Sequence, residues 1–189
     1  MKNNKEYRNA QYTATPDDMQ IRGYALLFEE PTVLYEEDGI QYKEIIDQHA
    51  LDGVDLSDVC LRYNHNDGHT ILARTRGGSL SLSVDENGLY FEANLVNTQA
   101  AKDIYTLIKD GLISGCSFGF VVAKDSYDVQ THTRRILKFD KIFEISVVDL
   151  PAYDGATVSA RDYFSAQCDA EEKAEYEAKK KRLYLLSLT

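Results

Sequence analysis

The sequence predicts a mainly β domain of the α+β kind, with helices only at its periphery. Three observations carry this. Short runs with two-residue apolar alternation recur along the chain, and hairpin-turn residues lie between several of them. Clear helical spacing is confined to one internal stretch and a charged C-terminal tail. At 189 residues there is material for one core and too little for two full domains. Hydrophobic residues make up 43% of the chain and charged residues 28%, and thirteen Tyr and seven Phe compensate for the absence of Trp, a composition that should fold.

Residues 1–20 are polar and aperiodic and are expected to form a flexible arm or an edge strand. Ile21 to Phe28 is a compact apolar run and the first predicted core strand. Val33-Leu34-Tyr35 and Ile40 to Ile45 flank Glu36-Glu37-Asp38-Gly39, whose residues suit a hairpin turn. Asp47 to Leu56 is compatible with a short helix. Val59, Leu61 and Tyr63 then alternate with Cys60, Arg62 and Asn64 as a strand that runs into Asn64-His65-Asn66-Asp67-Gly68-His69. Further strands are expected at Ile71 to Arg74, Ser79 to Val84 and Leu89 to Leu95, the last two joined through an Asn-Gly turn.

The internal helix opens at the cap residue Thr98, carries Ala101, Ile104, Tyr105, Leu107 and Ile108 on one face, and stops at Gly111. Its apolar face should cover the sheet. Cys116 to Val122 is the next strand, followed by a polar excursion from Lys124 to Arg135 and a strand from Ile136 to Leu150 that Pro151 closes. Cys168 to Arg182 places acidic residues before Lys179-Lys180-Lys181-Arg182, an order that suits a helix dipole, with its charges on a solvated face. The resulting organisation is an arm over 1–20, a domain over 21–161 and a charged helical tail over 162–189.

The formal charge of -10, from 31 acidic and 21 basic residues, argues against a nucleic-acid partner, which clustered Lys and Arg would serve. No apolar run approaches the ~18 residues of a membrane span, and the first residues lack the apolar core of a signal peptide. These features suggest a soluble protein made in a cytoplasm. Cys60, Cys116 and Cys168 are odd in number and form no CxxC pair, so structural disulfides, zinc and redox couples are not expected. Cys60 fits a small buried hydrophobe. His65 and His69 are four apart, but Asp67-Gly68 breaks the helix that a paired-histidine zinc site requires, so no metal or cofactor is expected.

Three residues could carry chemistry. His65, one of four His, follows an alternating strand in a loop of small polar residues, where it could face a cleft or simply solvent. Ser117 lies in Ser114-Gly115-Cys116-Ser117-Phe118-Gly119-Phe120. If the Phe pair faces the core, Ser117 and Gly119 face the other way. Gly115 and Gly119 could leave room for a substrate and for amides that stabilise an oxyanion, or could let a neighbouring element pack closely. Glu144 lies in Ile142-Phe143-Glu144-Ile145-Ser146-Val147-Val148, where an ionised carboxylate requires a partner or an edge facing water. Cys116 is the rival nucleophile, although alternation puts it on the Phe face.

Together these segments resemble the HK97-family prohead proteases of tailed phages, which are related to the herpesvirus assemblins. Arg22-Gly23-Tyr24-Ala25 with Phe28 is similar to the family's opening strand. Tyr42 to Ile46 leading to Ala50-Leu51 is similar to its second block, with Gln48-His49 where Pro-Gly is usual. Leu61 to Asp67 with Ile71-Leu72-Ala73-Arg74 resembles the Asn-His-Asp block, here with Asn66 inserted before the Asp. Asp110 to Phe120 is the best match, with Cys116 where Met is frequent, and Glu144 to Val148 with Pro151-Ala152-Tyr153 resembles the last block. The resemblance implies an assemblin-like β-barrel with peripheral helices. It also implies a serine endopeptidase with Ser117 as nucleophile, His65 as general base and Glu144 as third member. Such an enzyme would trim the scaffolding segment of the major capsid protein, and itself, inside the procapsid in the bacterial host cytoplasm, with self-association. The alternatives are an inactive scaffold or capsid-binding module of the same fold, and a cysteine protease using Cys116.

Overall fold

The alternating runs become strands, and their pairing defines the architecture. The structure is a computed structural model describing residues 19–66, 71–149, 163–167, 170, 173–174 and 176–181, and the backbone of 6–15. In chain order the elements are β1 (Glu6–Thr15), β2 (Gln20–Leu27), β3 (Thr32–Glu37), β4 (Ile40–Ile46), β5 (Cys60–Tyr63), β6 (Ile71–Arg74), β7 (Leu80–Val84), β8 (Gly88–Asn94), α1 (Gln99–Lys109), β9 (Gly115–Asp128) and β10 (Thr133–Val148). The sheet runs β3-β4-β10-β9-β1-β2-β8-β7. The long strand β10 pairs with β9 along one edge. Along the other it pairs in parallel with β4 near its start and with β5 near its end.

The β5–β6 arm returns toward β8 through the Val96 N–H donating to the Leu72 carbonyl at 2.9 Å, so the sheet curls around one core. Leu61, Leu72, Leu89, Phe91, Phe118, Phe120, Ile142, Ile145 and Val147 all meet there. Helix α1 buries Ala101, Ile104, Tyr105 and Ile108, is capped by Thr98 Oγ1 accepting from the Ala101 N–H at 3.2 Å, and ends where Gly111 turns left-handed. The fold is therefore mainly β, as expected. Gly88 has a steric reason to be glycine, because a Cβ there would lie 2.0 Å from the Leu26 carbonyl oxygen. Among the described residues no helix is long and apolar enough to cross a membrane.

Three local expectations are corrected. Glu6–Thr15, expected within a flexible arm or edge strand over 1–20, is instead the interior strand β1, paired antiparallel with both β2 and β9. Main-chain hydrogen bonds hold such a strand without an apolar pattern, so its polar sequence conceals it. Asp47 to Leu56 is a chain of turns, with Ala50, Asp52 and Val54 N–H groups each donating three residues back and Gly53 at a φ of 71°. Arg135 donates to both Asp47 and Glu29 and fixes these turns against β10. The Glu29 carboxyl is held below its ordinary range mainly by Arg135, and that of Asp47 mainly by the His49 backbone N–H. The polar excursion at Lys124 to Arg135 is the tip of the β9–β10 hairpin, whose strands pair from Asp128 opposite Thr133 to Asp125 opposite Ile136 before the register first shifts.

At that tip sits a second, aromatic cluster. Residues 163–167 are helical, and Phe164 is fully buried, edge-on to Tyr35, Tyr42, Tyr127 and Tyr163. Tyr163 in turn lies under the Arg134 guanidinium, 4.1 Å from ring centroid to Cζ. The tail expected from residue 162 thus begins with a core-grade anchor, although the described residues between 170 and 181 are exposed as a solvated face should be. Cys168 and Pro151 lie outside the described residues. Phe164→Ala is expected to cost about 3–5 kcal/mol and to lower Tm by roughly 10 °C in a thermal melt.

Candidate active site

The site is built where β5, β10 and β9 run side by side. Direct partners across a sheet share a face, and the register places Ser146 opposite Ser117 on β9 and beside Arg62 on β5. The neighbouring positions form the core face, with Val147 opposite Cys116 and Ile145 opposite Phe118. Ser117 and Cys116 therefore point to opposite sides, as alternation required. Cys116 is fully buried, and burial pushes its thiol pKa well up, away from the thiolate that a cysteine nucleophile needs.

Glu144 reaches the Ser117 face through a bulge. Ile142 faces Phe120 and Glu144 faces Gly119, which leaves Phe143 as the extra residue. Gly119 permits this: a Cβ there would meet the Phe143 ring at 2.6 Å and Glu144 Cγ at 2.9 Å. Its space is filled by the neighbouring strand, so of the two readings of this glycine the close packing of a neighbouring element is the one that holds. Gly119→Ala should displace Glu144, cost about 1–3 kcal/mol in urea unfolding and reduce any activity that depends on that carboxylate.

His65 is presented by a tight turn at the end of β5. Asn64 and His65 both have positive φ, 49° and 53°, and the Asn66 N–H closes the turn onto the Tyr63 carbonyl at 3.1 Å. Asn tolerates this left-handed region and His does so less readily, so the turn is held by tertiary contacts. Asn64 donates its N–H to the Val147 carbonyl at 3.0 Å, and its side-chain oxygen accepts from the Asp149 N–H at 3.2 Å. The His65 N–H donates to Ser146 Oγ at 3.2 Å.

The resulting constellation pairs the imidazole with the carboxylate: His65 Nδ1 is hydrogen-bonded to Glu144 Oε1. A carboxylate only accepts, so Nδ1 carries the proton of that bond and Nε2 is left as the basic nitrogen. Glu144 is nearly fully buried, and its other polar side-chain contacts among the described residues are the Ser146 hydroxyl, donating to Oε1 at 3.3 Å, and Arg62 Nε, 3.6 Å from Oε2. Arg62 also donates through Nη1 to the Asn66 carbonyl at 3.0 Å, linking Glu144 to the His65 turn.

The partner that a carboxylate in this apolar run requires is thus present. Ser117 is 2% exposed and its Oγ has no hydrogen-bond partner among the described residues, so the Ser117–His65 contact is not formed. Catalytic hydrogen bonds are often loose before substrate arrives and tighten in the complex. Arg62 and Ser146 were not singled out from sequence. The available signal was two-residue periodicity, since Ser146 shares a face with Glu144, and Arg62 lies on the side of its strand that also carries Cys60. No group of three His, Cys, Asp or Glu among the described residues could hold a metal ion, and His69 lies outside them.

A strand-borne serine beside a carboxylate-bonded imidazole has the parts of an acyl-transfer site. The family model for the caudovirus prohead serine protease matches residues 5–170, and this chain belongs to that family. The prohead protease of Enterobacteria phage HK97 is 36% identical over 81 residues, which are 42% of this chain and 36% of that protein, so the match spans about a third of the relative's length. The capsid assembly protease of bacteriophage T4 shares the fold at a TM-score of 0.51 and 11% identity, over 76% of this chain and 96% of that one.

Proposed function

We propose that this chain is a serine endopeptidase that removes the scaffolding segment from the major capsid protein, and cleaves itself, inside the assembling procapsid in the bacterial host cytoplasm. The observation that carries the reading is the His65–Glu144 pair on the same sheet face as a buried Ser117 hydroxyl that has no hydrogen-bond partner among the described residues. Membership of the prohead protease family supports the substrate class. In this reading His65 Nε2 takes the Ser117 proton as Oγ attacks the scissile carbonyl, and returns it to the leaving amine. Water activated by the same nitrogen then hydrolyses the acyl-enzyme. Glu144 holds the tautomer and stabilises the imidazolium.

The unformed Ser117–His65 contact favours a second reading, an inactive capsid-binding relative. Co-expression with the cognate capsid protein, followed by mass spectrometry, separates the two. Wild type should yield shortened capsid protein and self-cleavage products, and Ser117→Ala neither. Processing by Ser117→Ala would sink the serine assignment, and no processing by wild type would favour the inactive module.

A further inference from the structure

We infer that Ser146 is a positioning residue, whose one hydroxyl fixes both the Glu144 carboxylate and the His65 turn in relation to the Ser117 strand. This rests on the reading of Ser117 as a nucleophile and goes beyond it. Ser146 is fully buried and both hydrogen-bonding roles of its hydroxyl are used: the proton goes to Glu144 Oε1 at 3.3 Å, and a lone pair accepts the His65 backbone N–H at 3.2 Å. Those contacts join the acid and the turn that carries the base, two pieces of chain 79 residues apart in sequence. Ser146 is also the direct cross-strand neighbour of Ser117.

This commitment has two consequences. The His65 N–H, projecting from a left-handed turn, has an acceptor that sets the height of the turn over β10. The adjacent Ser117 hydroxyl makes no hydrogen bond to Ser146, whose only proton is directed at Glu144, so Ser117 Oγ stays available to a base. A methyl group at 146 would fill similar space but would leave the His65 N–H and one carboxylate lone pair without their partner. Each is a polar group whose orientation the hydroxyl now determines.

Reaction with a fluorophosphonate probe tests this without the natural substrate. Ser117 Oγ would form the bond to phosphorus as fluoride leaves, and His65 would take the hydroxyl proton. Ser146→Ala and Ser146→Cys, which remove the strong donor at nearly constant volume, should label about tenfold more slowly or worse, as expected for losing one oriented hydrogen bond. Ser146→Thr, which keeps the hydroxyl, should recover most of the rate. The His65 Nδ1–H proton resonance should move from its wild-type position in the Ala and Cys variants and return in the Thr variant.

Wild-type labelling and an unmoved resonance in Ser146→Ala would overturn the positioning role. So would equal slowing in all three variants, which would mark a packing effect only. Ser117→Ala provides the control. If it labels like wild type, or wild type does not label at all, the nucleophile assignment itself fails and the role of Ser146 fails with it.

Discussion

Ser117→Ala should abolish processing while leaving the protein as stable as before or more so. Loss of the nucleophile from an acyl-transfer site lowers kcat by roughly 10^6-fold. The stability side follows from burial: Ser117 Oγ lies at 2% residue exposure with no partner among the described residues. A buried hydroxyl in that state costs about 1–3 kcal/mol, and alanine removes it with little change in shape. Each kcal/mol recovered would raise Tm by about 2–4 °C in a chain of this size. A serine kept for packing would behave in the opposite way, with activity retained and Tm lowered. Differential scanning calorimetry beside the co-expression assay reads both quantities on one protein.

Glu144→Gln should cost about 10^4-fold in turnover, and stability should fall rather than rise. The carboxylate can only accept, which places the proton on His65 Nδ1 and frees Nε2. An amide in its place can donate to Nδ1, which moves the imidazole proton to Nε2 and removes the base. Arg62, 3.6 Å from Oε2, loses its negative partner at the same time. Arg62 keeps some contact with solvent, so this loss is below that of a fully enclosed pair, at about 1–2 kcal/mol. Two inactive variants thus move stability in opposite directions, which chemical denaturation can resolve. Equal turnover in Glu144→Gln would leave His65 without need of an acid and remove Glu144 from the site.

Local patterns exposed much of this arrangement. Alternation through Cys116-Ser117-Phe118-Gly119-Phe120 separated a core face from a site face, and the register confirms it, with Val147 over Cys116 and Ser146 over Ser117. The β3–β4 turn at Asp38-Gly39 and the helix from Thr98 to Gly111 were equally legible, because turn and cap chemistry depend on residues a few positions apart. Strand β1 was not, since its place between β2 and β9 comes from backbone pairing with segments distant in sequence. The bulge at Phe143 was hidden for a related reason. It exists where Gly119 of another strand leaves room, and an apolar run by itself does not show a break in register.

The sequence by itself therefore determined the mainly β character, the family resemblance, and which residues could act: a glycine-flanked serine, a loop histidine and a carboxylate in an apolar strand. Only the tertiary structure decided that His65 Nδ1 meets Glu144 and that Arg62 and Ser146 hold that carboxylate. The physical reason is range. Periodicity and turn chemistry act over a few residues, whereas the contact between positions 65 and 144 depends on the register of β5 on β10, set by pairing across the whole sheet.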